Sequence, residues 1–280
     1  MYLKILGLLL LIKNVICANI LAIMVVPSHS HHLFSSIYLE ALATRGHNIT
    51  YLGIDEYKNP PKNIRHLLIR NVYEKLHAGF SDFSALAEMS TYESVMSING
   101  WEDLTRNTLK DTPEIKNLVE IVKKEKFDLV AYDIGGSPFL LGAAHVLKAP
   151  VIGVTAFGIP TQAYEIIGNP VSYAINPHFL SSYGEDMNLF QRMDNFILYM
   201  LSFIQRRVLL ERELEVSKEL FGKDVDLQEV LNGINVLLVN ANSATDPPIP
   251  TLPGLIPIGG LNIKEPKSLP KVYHGNRACK

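Results

Sequence analysis

The feature that most constrains this 280-residue chain is an alternation. Short unbroken runs of β-branched and apolar residues are separated by stretches with helical apolar spacing. Ile20–Val26 (ILAIMVV) is the first run, ended by Pro27. It has no polar interruption, the pattern of a parallel strand buried on both faces. From Leu33 to Thr44 the apolar residues Leu33, Ile37 and Ala41, with Phe34 and Leu42, recur at helical spacing, and Gly46 can end that helix. Ile49–Leu52, Phe127–Tyr132, Val151–Val154 and Val236–Val239 repeat the strand pattern. The helix expected over Leu118–Lys126 closes on Lys123-Lys124-Glu125-Lys126, cations that suit the negative end of its dipole. Strands alternating with helices predict an α/β fold with a doubly wound, Rossmann-like parallel sheet.

Two regions read as insertions. Ala78–Pro113 is mixed and partly helical and carries the only tryptophan, Trp101. Pro160–Gln191 is rich in Pro, Gly, Asn and Tyr, and leads into a long amphipathic helix from about Met193 to Leu220. Loops at the carboxyl edge of a parallel sheet are where ligands bind. Val236–Val239 is the last strand expected. After Asn242 prolines crowd the chain, so 246–270 reads as a linker that forms neither helix nor interior strand, and 19–245 as the domain before it. Residues 271–280 have no structural periodicity.

The first 18 residues stand apart: a weakly basic start, the apolar run Ile5–Ile12, and the small Ala18 before the polar Asn19. This is the layout of a secretory signal peptide, and Ile5–Ile12 is too short to span a bilayer. The expectation is entry to the secretory pathway, as a secreted or endoplasmic reticulum lumenal protein, with no transmembrane helix elsewhere in these residues. Asn48-Ile49-Thr50 is a glycosylation sequon, although its Ile49–Leu52 strand leaves an unused sequon as an equal alternative. Of the two cysteines Cys17 would leave with the signal, so no disulfide framework or metal site is expected. A net charge of −2 excludes a nucleic-acid role.

Candidate chemistry lies at strand ends. His31 falls on a turn after the first strand, where an imidazole near its neutral range could act as a general base. Zinc held by His29, His31 and His32 is a competing reading, and three loop histidines without function a third. Asp133 follows Phe127–Tyr132 and so reaches the same edge. It could orient the imidazole, or it could cap the helix after Gly135. The first strand is followed by Pro27-Ser28-His29-Ser30-His31 and not by the glycine-rich dinucleotide fingerprint. No nucleophile elbow occurs, and Gly135-Gly136-Ser137 reads as a tight turn.

These residues resemble the opening half of animal UDP-glycosyltransferases, closest to insect members. The family pattern is a strand, S-H-[WH], then R-G-H-x-[VI]-T, with thirteen residues between the first histidine and the arginine. Ser30-His31-His32 and Arg45-Gly46-His47-Asn48-Ile49-Thr50 match it, with thirteen residues between His31 and Arg45. Phe127-Asp128 followed by Asp133 matches F-D-x-x-x-x-D. Gly168-Asn169-Pro170, Asn176-Pro177, Phe190-Gln191-Arg192, Val239-Asn240 and Pro257-Ile258-Gly259-Gly260-Leu261 also fit in order.

The resemblance implies the N-terminal domain of a GT-B fold, with His31 the catalytic base, Asp133 its partner, and His32 and Phe157 in acceptor binding. It implies a UDP-sugar co-substrate without metal, a small lipophilic acceptor such as a steroid, phenol or plant toxin, and a role in detoxification. The family's W-x-P-Q and H-G-G-x-x-S donor motifs do not occur in these 280 residues. The ending at Lys271–Lys280 reads as an early stop, from alternative splicing or an incomplete gene model. On that reading no donor-binding residues are present and the chain alone is inactive. The alternatives are a lipophile-binding or regulatory partner of full-length relatives, or of itself by self-association, and a fragment without an independent role.

Overall fold

A computed structural model describes residues 17–79, 88–184, 186–242, 244–246 and 249–263. The strands among them are β1 (Asn19–Met24), β2 (Asn48–Gly53), β3 (Ile64–Leu68), β4 (Leu129–Asp133), β5 (Val151–Thr155), β6 (Val236–Val239) and β7 (Leu255–Pro257). They form one sheet in the order β3-β2-β1-β4-β5-β6-β7, and every pairing is parallel. This is the doubly wound arrangement the alternation predicts. Its strand order reverses between β1 and β4, and ligands of such sheets bind at the carboxyl ends beside that reversal.

Helix α1 (His29–Thr44) returns the chain from β1 to β2. It starts at His29, four residues before the expected Leu33, because Ser28 already turns the chain in extended geometry (φ −151, ψ 125). Gly46 takes the left-handed φ of 94° that ends the helix. Beyond β3 come α2 (Val72–Gly79), α3 (Thr91–Leu109) and α4 (Pro113–Lys124). After β4 a 3₁₀ turn (Pro138–Leu141) leads to α5 (Gly142–Leu147), and after β5 comes α6 (Thr161–Ile167). The 33-residue α7 (Leu189–Phe221) and α8 (Leu227–Asn232) precede β6.

One side of the sheet buries Leu21, Ile23, Val130 and Tyr132 with residues of α4, α5, α7 and α8. The other buries Ile20, Ala22, Met24 and Tyr51 beneath Phe34 and Leu39 of α1. The alternating inward and outward side chains of β1 therefore serve two cores, which explains its uninterrupted apolar sequence.

Two strands depart from the sequence expectation. β3 (IRHLL) carries Arg65 and His66 side by side and buries only Ile64 fully, because it is an edge strand with only one neighbour. β7 lies inside the stretch read as linker, and its Pro257 is tolerated because it too is at a sheet edge.

Candidate active site

β1 and β4 run side by side in register, Ile23 opposite Tyr132, so their carboxyl ends finish together. The first turn of α1 begins five residues after β1, and Asp133 is the last residue of β4. This brings His31 and Asp133, 102 residues apart, into a hydrogen bond of 2.7 Å between Nδ1 and Oδ2. Both side chains are almost wholly buried, 3% and 2% exposed. The second carboxylate oxygen, Oδ1, accepts the Gly135 N–H at 3.0 Å. Asp133 thus satisfies the turn after β4 and the imidazole at once, and it does not cap the helix that follows.

A carboxylate only accepts, so Nδ1 carries the proton of the neutral ring and Nε2 keeps a lone pair. Nε2 is buried with no hydrogen-bond partner among the described residues. Phe157, in the loop after β5, sets its ring edge-on to the imidazole at 4.6 Å. Its backbone is fixed on both sides: its N–H donates to Thr155 Oγ1 at 3.1 Å and its carbonyl accepts the Asn240 N–H at 3.0 Å. The ring itself is 41% exposed.

The three histidines diverge. His29 bonds Asp55 through Nδ1 at 2.7 Å and stacks on Tyr73 at 4.5 Å. His32 turns down toward the sheet, where its Nδ1 meets Tyr51 Oη at 2.7 Å, and Tyr51 stacks flat on His66. Burial drives the His32 pKa down to about 4, against the pull of Asp55 and Asp133. His32 is therefore a neutral side chain packed under α1, only 5% exposed. The first turn of a helix, not a loop, spreads these side chains apart, since successive residues point about 100° from one another. Among the described residues no group of His, Cys, Asp and Glu could hold a metal ion.

Asn48 opens β2 at the opposite, amino edge of the sheet. It is exposed, and its Nδ2 donates to Asn19 Oδ1 at 3.1 Å. Residues 1–16 of the stretch expected as a signal peptide (1–18), and the tail 271–280, lie outside the described residues. Among the described residues no helix is long and apolar enough to cross a membrane.

Two groups near the site escaped the sequence reading. Phe179 meets Phe157 edge-on at 5.3 Å. Behind the site, Glu213 of α7 is fully buried, accepts the Phe139 N–H and pairs with Arg106 of α3. Only a charge at an inward position of α7 hinted at the second group, and nothing in the irregular Pro160–Gln191 stretch pointed to the first.

A family model described as UDP-glucoronosyl and UDP-glucosyl transferase matches residues 21–277. UDP-glucosyltransferase 2 of Dactylopius coccus is 28% identical over 273 residues, covering 90% of this chain and 49% of that protein. UDP-glucuronosyltransferase 1A8 of Rattus norvegicus is 24% identical over 265 residues, again covering 90% and 49%. Of solved structures, CalG4, the calicheamicin glycosyltransferase, is 16% identical with a TM-score of 0.44, covering 80% of this chain and 48% of that one. The chain spans about half the length of the curated relatives it matches. Matched almost from β1 to its last residues, the chain belongs to the UDP-glucoronosyl and UDP-glucosyl transferase family.

Proposed function

We propose that this chain is the acceptor-binding half of a GT-B sugar transferase, in which His31 removes the proton of an acceptor hydroxyl. The supporting observation is the His31–Asp133 bond of 2.7 Å together with an Nε2 that is buried and unbonded. A proton acceptor needs its lone pair directed at substrate and its other nitrogen anchored, and Asp133 supplies the anchor. As Nε2 takes the proton, Asp133 stabilises the imidazolium. The freed oxygen pair forms a bond to the anomeric carbon of a UDP-sugar. The bond from that carbon to the diphosphate breaks with its electrons, UDP departs, and configuration inverts.

Phe157 borders the imidazole with an exposed apolar face, which suits a small lipophilic acceptor. His32 Nε2 is also buried without a hydrogen-bond partner among the described residues, and through it His32 could touch the acceptor. Donor binding is assigned to the second domain that the family resemblance implies. Secretory entry through residues 1–18, glycosylation at Asn48 and a role in detoxification complete the proposal.

The test is a chimera of this domain with the carboxyl-terminal half of the Dactylopius coccus enzyme. His31→Ala should slow transfer by roughly 10²–10⁴-fold while acceptor affinity stays within about twofold, since it removes a proton acceptor and not a binding surface. Equal loss of affinity and turnover would reduce His31 to a binding residue.

A second reading, a lipophile-binding partner of full-length relatives, draws support from α7. Phe190, Met193, Ile197 and Ile204 form an exposed apolar stripe along its first half.

A further inference from the structure

Phe179 is 42% exposed, yet its neighbours in sequence are held tightly. The His178 N–H donates to Asn195 Oδ1 at 2.6 Å, and the Leu180 N–H donates to His178 Nδ1 at 3.2 Å. Because Nδ1 accepts, Nε2 carries the proton and donates to Ser202 Oγ at 2.8 Å. Asn195 Nδ2 also donates to the carbonyls of Tyr173 and Asn176, at 2.7 and 2.9 Å. His178, Asn176 and Asn195 are buried. Burial holds the His178 pKa at about 4, so the ring is neutral and the tautomer fixed near pH 7.

A loop fastened to α7 by a satisfied buried network thus presents one aromatic ring to solvent. That ring points back at the site. Phe179 lies edge-on to Phe157, and Phe157 edge-on to His31, whose Nε2 is buried and unpaired. Consecutive edge-to-face contacts lead outward from the proton acceptor. Such rings gain more from another aromatic ring than from a saturated one of equal area, because ring edges and faces carry opposite partial charge. Presenting them on a rigid loop spares the cost of ordering them when a ligand arrives.

We propose that Phe179, with Phe157, forms an aromatic wall that makes this site select phenols over aliphatic alcohols of the same size, and that His178 is the positioning residue that holds Phe179 in place. The proposal rests on the reading of His31 as proton acceptor for a hydroxyl. It adds the ring chemistry of the acceptor and the residue that discriminates it.

The test titrates the 280-residue chain with naphthol and with its saturated counterpart decalol. The unaltered chain should prefer naphthol by roughly tenfold, the scale of an aromatic pair. Phe179→Leu keeps an apolar side chain and should bring the ratio near unity while decalol affinity holds. Phe179→Tyr should retain the preference. His178→Ala should lower the ratio as Phe179→Leu does, whereas a merely structural role would weaken both ligands equally. Equal affinities in the unaltered chain, or an unchanged ratio in Phe179→Leu, would overturn the wall. The two readings fail separately: were His31 not the proton acceptor, His31→Gln would leave transfer by the chimera intact and the naphthol preference unaffected.

Discussion

Glu213, in the last third of α7, accepts the backbone N–H of Phe139 at 2.9 Å, so the segment leaving Asp133 is tied from behind to the longest described helix. The same carboxylate pairs with Arg106 at 2.9 Å, and Ser217 one turn later donates to the Phe139 carbonyl at 2.8 Å. Tyr132 Oη closes the turn by donating to the Gly136 carbonyl at 2.5 Å. Removing the carboxylate strands the buried Phe139 amide and leaves the largely buried Arg106 guanidinium with Asp103 as its remaining carboxylate partner. Glu213→Ala should therefore destabilise the fold by ~3–5 kcal/mol. Glu213→Gln, which can still accept from Phe139, should cost less. Urea unfolding of the two variants measures the difference, and equal small losses would show that the tie is dispensable.

Stability should fall in mild acid. His178 has its pKa lowered from 6.5 to about 4 by burial, so between those values the unfolded chain binds a proton that the folded chain refuses. The contribution is fully present above pH 6.5 and lost as the pH falls toward 4, about 3 kcal/mol in all. His32, lowered to about 4 by burial, acts in the same direction. Urea midpoints at pH 7 and pH 4.5 should differ for the unaltered chain, and the gap should narrow in His178→Asn. A pH-independent midpoint would contradict the buried neutral state of both rings.

The sheet was legible because the β1 and β4 sequences carry their burial on both faces and alternate with helical stretches. Parallel strands deliver their ends to one edge, which made a meeting of His31 and Asp133 possible. Only the family resemblance singled the pair out from the neighbouring histidines and from a capping Asp133. β3 and β7 were not legible, since an edge strand needs only half the apolar residues of an interior one. The start of α1 was hidden because His29, Ser30 and His31 carry no apolar rhythm of their own. Phe179 owes its place to its neighbour His178, whose partners Asn195 and Ser202 lie 17 and 24 residues further along the chain, a relationship that no local pattern encodes.

The proposed secretory processing can be tested at Asn19. The Asn19 N–H donates to Asp128 Oδ2 at 2.8 Å, so cleavage after Ala18 would convert that amide into an ammonium beside a carboxylate. Expressed in insect cells, the product should begin at Asn19 by mass spectrometry and should shift in mobility on endoglycosidase treatment. Asn48→Gln should abolish the shift. A product that keeps Met1 and shows no shift would remove both the leader and the glycan from the account.

The division of labour between halves makes a separate prediction for the 280-residue polypeptide. With donor binding assigned to the second domain, calorimetry of this polypeptide with UDP should show no measurable affinity, and UDP-glucose should give no product. Saturable UDP binding would place a donor site within these residues.

The central claim, that His31 Nε2 accepts the acceptor's proton, is tested most directly by chemical rescue. In the chimera with an intact carboxyl-terminal half, His31→Ala should slow transfer by roughly 10²–10⁴-fold, the usual worth of a positioned base. Added imidazole should restore part of that rate, saturably and in proportion to its unprotonated fraction across pH. Transfer by His31→Ala at the unaltered rate, indifferent to imidazole, would contradict the assignment.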